Sequence, residues 1–216
     1  MSHCAAKKRV AFDIDGVLAD TFRVFVETAR NQYHVQVAYE DITEYDFRKV
    51  IDIDMEIARD IIQRILDQPI QMGIMPMEGA VEVLNLLAGE GPILLVTARP
   101  GRPAIYEWVV EHLKGIDHDL ICVEATGTHE EKIPILVRQG IKYFVEDRLD
   151  TCYLLASANV TPIVFWLITG KKILTPLSQK RKLIHWGITN NHFSSGSDHQ
   201  EKPAGSTSCL GEEKKR

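Results

Sequence analysis

Five short apolar runs, each running into polar or charged residues, leave this chain few folds to choose from. Val10-Ala11-Phe12, Ile93-Leu94-Leu95-Val96, 120–123, Tyr143-Phe144-Val145 and 162–167 have the length of strands and little polar alternation, which suits strands covered on both faces. Helical spacing separates the later runs. Val81, Leu84 and Leu87 precede the second, and Pro103 opens a stretch through Trp108, Val109 and Leu113 before the third. Further helices are expected at 133–139, where Gly140 stops the pattern, and at 151–158. Strands alternating with helices predict an α/β fold with a Rossmann-like three-layer parallel sheet core, whose ligands bind beyond the carboxyl ends of the strands.

The alternation breaks once, after the first strand. Thr21 is placed to cap a helix reaching about Tyr33, with Phe22, Phe25, Val26 and Ala29 at helical spacing. A second helix follows, with Ile53, Ile57, Ile61, Ile62, Ile65 and Leu66 on one face and acidic and basic residues on the other. A polar connector at 39–49 lies between them, and Gly73, Pro76 and Gly79 end the pattern. Residues 21–78 therefore read as an inserted helical cap, 7–20 with 79–189 as the core, and 190–216, nearly without apolar residues, as a disordered tail.

With a net charge of -5 and a sequence pI near 5.9, the chain offers no basic surface to a nucleic acid polymer or an anionic membrane. Cys4, Cys122, Cys152 and Cys209 form no CxxC pair, so neither a zinc site nor a disulfide framework is indicated. The apolar run 162–168 is too short to span a bilayer, and the first nine residues lack a signal peptide's apolar stretch. A reduced, cytoplasmic setting is the expectation.

The first strand ends in Asp13-Ile14-Asp15-Gly16. A side-chain period of two sends Asp13 and Asp15 to one side and Ile14 into apolar packing, while Gly16 permits a sharp turn. Two carboxylates this close repel unless a cation lies between them or one holds a proton, and phosphoryl transfer uses both solutions. Asp13 is then the candidate nucleophile, attacking phosphorus to form an aspartyl-phosphate. Asp15 is the candidate acid and base, a role that asks for a pKa above the usual aspartate value. Mg2+ offsets the charge.

Phe12-Asp13-Ile14-Asp15-Gly16-Val17-Leu18-Ala19-Asp20 resembles the first motif of the haloacid dehalogenase-like phosphohydrolases, in particular their 5'-nucleotidase and deoxyribonucleotidase branch. Thr97, Lys132 and Asp147, each following a further strand, match that family's second, third and fourth motifs in order, and the resemblance spans residues 10–167. It implies that Thr97, with Ala98 and Arg99, binds the substrate phosphate. It implies that Lys132 supplies positive charge to Asp13 and the phosphoryl oxygens. Asp13, the Asp15 backbone carbonyl and Asp147 would hold Mg2+. Glu146 stands where many relatives carry aspartate, and its longer arm suits the metal's outer shell.

The expected activity is a Mg2+-dependent phosphomonoesterase acting on a small phosphorylated metabolite, a nucleoside monophosphate before others. A sugar phosphate or another small phosphometabolite is the alternative within the same chemistry. A phospho-acceptor signalling module is the alternative outside it, but the acceptor would lie at the third strand's end, where Val123 is followed by Glu124. Phe22, Phe25, Tyr45 and Phe47 are candidates either to stack on a base or to form the cap's own core. Oligomeric state is open.

Overall fold

The computed structural model describes residues 9–37 and 52–165 together with the backbone of 184–186. In chain order the elements are β1 (Val10–Phe12), α1 (Thr21–Tyr33), α2 (Met55–Asp67), α3 (Ala80–Ala88), β2 (Ile93–Thr97), α4 (Pro103–His112), β3 (Ile121–Ala125), α5 (Lys132–Arg138), β4 (Tyr143–Glu146), α6 (Leu149–Ser157), β5 (Thr161–Phe165) and β6 (Ile184–Trp186). All six strands among the described residues are parallel, in the order β3-β2-β1-β4-β5-β6. The sixth strand was not anticipated, because Ile184-His185-Trp186 is too short and too mixed a run to signal one. The expected connector at 39–49, the tail at 190–216, and Tyr45 and Phe47 lie outside the described residues.

Strand alternation divides the core into two apolar layers. Phe12, Leu95, Val123 and Val145 face one way and pack with Leu84 of α3 and Ile105, Trp108 and Val109 of α4. Ala11, Leu94, Val96 and Phe144 face the other way and pack with Leu136 of α5 and Leu155 of α6. The sheet is thus covered on both sides, as continuous apolar strands require. Pro103 opens α4, as its missing N–H allows. One cysteine departs from the expectation of unpaired thiols: Cys122 is disulfide-bonded, whereas Cys152 is free and buried. Spacing alone cannot show such a pairing.

Among the described residues, α1 and α2 have no separate core. Phe25, Val26 and Ala29 of α1 and Ala58, Ile61 and Ile65 of α2 join the same apolar cluster as Phe12 and Leu95. Polar ties hold the helices together at their outer surface, where the Tyr33 hydroxyl donates to Asp60 at 2.6 Å and Arg64 donates to Gln32 at 2.8 Å. The chain enters and leaves this helical pair through two adjacent segments. Asp20 N–H donates to Met75 O at 2.9 Å, and Met77 N–H donates to Leu18 O at 2.8 Å. Nearby, the Trp108 indole N–H donates to Ile74 O at 2.8 Å, anchoring the return segment to α4. No described helix is long and apolar enough to cross a membrane.

Leu95 is fully buried on a central strand, while Leu86 of α3 is 77% exposed. Leu95→Ala is expected to lower the unfolding free energy by about 2–5 kcal/mol. Leu86→Ala should change it by less than about 0.5 kcal/mol, both read from urea denaturation midpoints.

Candidate active site

The sheet order reverses between β1 and β4, and a crevice opens at such a switch point beyond the strands' carboxyl ends. Asp13 follows β1, and its N–H donates to Val145 O at 2.9 Å, so pairing with β4 continues up to the residue that carries the carboxylate. Glu146 ends β4 beside it. Lys132, the first residue of α5, is fully buried and joins the two: its Nζ donates to Asp13 Oδ2 at 2.6 Å and to Glu146 Oε2 at 3.0 Å. The Phe144 ring lies 5.5 Å from the same ammonium, within cation–π range. Glu146 is further fixed by the Arg148 N–H, which donates to Oε1 at 3.1 Å, and Asp13 Oδ1 accepts from Ile14 N–H at 2.7 Å.

Asp147 completes the acidic group. One oxygen from each of Asp13, Glu146 and Asp147 lies within 4.8 Å of the others. One ammonium cannot neutralise three buried carboxylates. Burial pushes Asp13 well above the usual carboxylate range, Glu146 adds repulsion, and Lys132 pulls the other way. Burial likewise raises Glu146 to about 7 against the pull of Lys132. Asp147 is pushed up to about 7 by burial and then by the charge of Asp13. Burial alone would lower the Lys132 ammonium, but the charges of Asp13 and Glu146 outweigh it and hold it above a free lysine.

Two features mark this group as a fit for a hard divalent cation. Asp147 Oδ1 is buried with no hydrogen-bond partner, a costly state for a carboxylate unless a cation meets it. The Asp147 carboxylate also comes so close to Gly16, at φ +75, that any Cβ there would collide with it. Gly16 therefore serves both the left-handed turn and the approach of Asp147.

Asp15 takes different partners from Asp13. The chain after Ile14 does not stay extended, because Ile14 O accepts from the N–H groups of Val17, Leu18 and Ala19. The period-two expectation fails at this turn. Arg99 Nη2 donates to Asp15 Oδ1 at 2.8 Å and Arg99 Nε donates to Oδ2 at 3.0 Å. The Thr21 and Thr97 hydroxyls donate to Oδ1 and Oδ2 at 2.8 and 3.2 Å. Burial opposes ionisation of Asp15, but the Arg99 charge and these hydrogen bonds outweigh it and lower its pKa. The raised value expected for an acid and base is not what this arrangement produces.

Thr97 ends β2, nearly fully buried, and besides Asp15 its hydroxyl accepts from the Arg99 N–H at 3.2 Å. Ala98 lies between them and is half-buried. Arg99 is 3% exposed, its guanidinium turned to Asp15 and to α2. Thr21 was read as a helix cap, but Asp20 is the cap, accepting from the Arg23 N–H at 3.3 Å, and the Thr21 hydroxyl is turned to Asp15. Both residue types cap helices, so the sequence held no signal to separate them. Phe25 packs in the core. His129 borders the site as well; burial and then the charges of Lys132 and Arg148 lower it to about 4.

A model of the family described as "5' nucleotidase, deoxy (Pyrimidine), cytosolic type C protein" matches residues 7–132. The chain is 25% identical over 182 residues to "Putative nucleotidase BH1399" of Halalkalibacterium halodurans, covering 83% of this chain and 89% of that one. It is also 25% identical over 162 residues to "Putative nucleotidase YqfW" of Bacillus subtilis, covering 73% and 79%. Among solved structures, Protein Tyrosine Kinase A of Mycobacterium tuberculosis aligns with a TM-score of 0.52 at 16% identity, over 82% of this chain and 91% of that one. At that identity the likeness is one of fold.

Lys132→Met removes the cation bonded to Asp13 and Glu146. Their pKa values, and that of Asp147, lie above unfolded values near 4. Raised acids destabilise the fold little below their unfolded pKa and increasingly as pH climbs above it. The variant is therefore expected to lose about 3–5 kcal/mol at pH 8 and less at pH 5, measured by urea denaturation with EDTA present.

Proposed function

This chain belongs to the 5' nucleotidase, deoxy (Pyrimidine), cytosolic type C family and is a haloacid dehalogenase-like phosphatase; on that premise we propose that it hydrolyses nucleoside 5'-monophosphates, with Mg2+, through an aspartyl-phosphate on Asp13. The observation that carries the reading is Lys132 bonded at once to Asp13 and Glu146 beside the unpartnered Oδ1 of Asp147. The relatives named as nucleotidases support the substrate class.

In the proposed reaction an Asp13 carboxylate oxygen attacks phosphorus as the bond to the leaving oxygen breaks. Asp15 gives that oxygen a proton, a step that requires the Arg99 fork, which lowers its pKa, to release the carboxylate first. In the second half Asp15 takes a proton from water, the water oxygen bonds to phosphorus, and the Asp13–phosphorus bond breaks to release inorganic phosphate. Lys132 orients Asp13 and offsets charge on the phosphoryl oxygens, while the Thr97 hydroxyl and the main chain at Ala98 and Arg99 are placed to bind them. Asp13, the Asp15 carbonyl and Asp147 would hold Mg2+, which supplies charge neutralisation for the acids and the phosphoryl group when bound. Residues 21–78 act as the cap over this site, excluding bulk water.

With Mg2+ and a panel of phosphomonoesters, the protein is expected to release phosphate fastest from nucleoside monophosphates, and Asp13→Asn should abolish release. Faster turnover of sugar phosphates would move the substrate to that class. No release above the Asp13→Asn control would remove the activity. Mg2+ at one hundred times its dissociation constant is expected to stabilise the wild type by about 2.7 kcal/mol, as any ligand of the folded state does. Asp147→Asn should lose most of that gain, as read from thermal unfolding.

A further inference from the structure

We infer that Arg99 is a strut that makes the seating of α2 and the direction of the Asp15 carboxylate a single equilibrium. The inference deepens the phosphatase reading, because it ties the cap to the residue proposed to move protons. It starts from an unfilled acceptor. In a helix Ile65 O would receive the N–H four residues on, but that residue is Pro69, which has none. Gln68 N–H already donates to Arg64 O. The last turn of α2 therefore presents buried carbonyls with no donor from their own helix, at its negative end.

Arg99 supplies the donor from β2's end. Its Nη1 reaches Ile65 O at 3.0 Å and Leu66 O at 3.4 Å, while Nε and Nη2 of the same planar group hold both Asp15 oxygens. A rigid fork satisfies an acceptor on the cap and a carboxylate on the core together, which a lysine's point charge cannot do with the same geometry. If α2 lifts, Nη1 loses its carbonyls. If Asp15 turns away, the fork loses the anion that aims it. Asp15 has no hydrogen bond to α2 among those described; besides Arg99 its partners are Thr97 of β2 and Thr21 of α1, so whether Asp15 and Arg99 substitutions add decides whether Arg99 carries the link.

The test is amide hydrogen exchange across α2, with β2 and β4 amides as the internal reference, on the full chain without substrate. Arg99→Met is expected to speed α2 exchange about tenfold while the strand amides hold. Arg99→Lys, which keeps the charge but not the span, should behave the same way. Asp15→Asn should also speed α2 exchange, by reciprocity, and adding Arg99→Met to it should change little more. Wild-type exchange in Arg99→Lys, or additive effects of Asp15→Asn and Arg99→Met, would overturn the strut, since a merely structural arginine acts without regard to Asp15. Because no turnover is measured, this result stands or falls separately from the phosphatase activity.

Discussion

The site depends on one ammonium. Lys132 is fully buried, and its Nζ is shared between carboxylates from two neighbouring strands. A charge taken out of water this completely is tolerable only where its partners are held at hydrogen-bonding distance. The parallel pairing of β1 with β4 supplies that constraint, because it brings Asp13 and Glu146 to the same edge of the sheet. Alpha-helical placement does the rest: Lys132 begins α5, whose Leu136 is anchored in the apolar layer beneath.

Positive and negative charge are nonetheless unequal here. Three carboxylates share one lysine, and the group left without a protein partner, Asp147 Oδ1, marks where further positive charge is needed. Glu146 contributes to this division of labour. Both its oxygens are engaged, one by Lys132 and one by the Arg148 N–H, which leaves Asp147 as the acid facing the open position. The arrangement separates carboxylates paired with Lys132 from a buried carboxylate oxygen that has no partner, all within a few ångströms.

Much of this was legible before the fold was seen. Asp13, Lys132 and Asp147 announce themselves because each follows an apolar run, and a parallel sheet gathers such strand ends at one rim. The strand runs themselves are unambiguous where they are continuous, as in Ile93-Leu94-Leu95-Val96, and silent where they are brief, as at β6. Asp15 was misread for a local reason: the turn closed by Ile14 O cancels the alternation that an extended chain would show. Thr21 and Arg99 were hidden for a different one. Arg99 meets groups 34 and 84 residues away and Thr21 one only six away across a tight turn, and a threonine or arginine beside a helix end carries no mark of which group it will meet.

The two chain crossings between the sheet and the α1–α2 segment are hydrogen-bonded to each other, Leu18 to Met77 and Asp20 to Met75. A segment whose ends are already clasped closes its loop at little extra entropic cost whatever its length. The connection between α1 and α2 is therefore free to lengthen or shorten, whereas Phe25, Ile61 and Ile65, which share the core with Phe12 and Leu95, are not free to be exchanged. In this architecture length can drift in the inserted region, while the buried faces that meet the sheet stay tied to it.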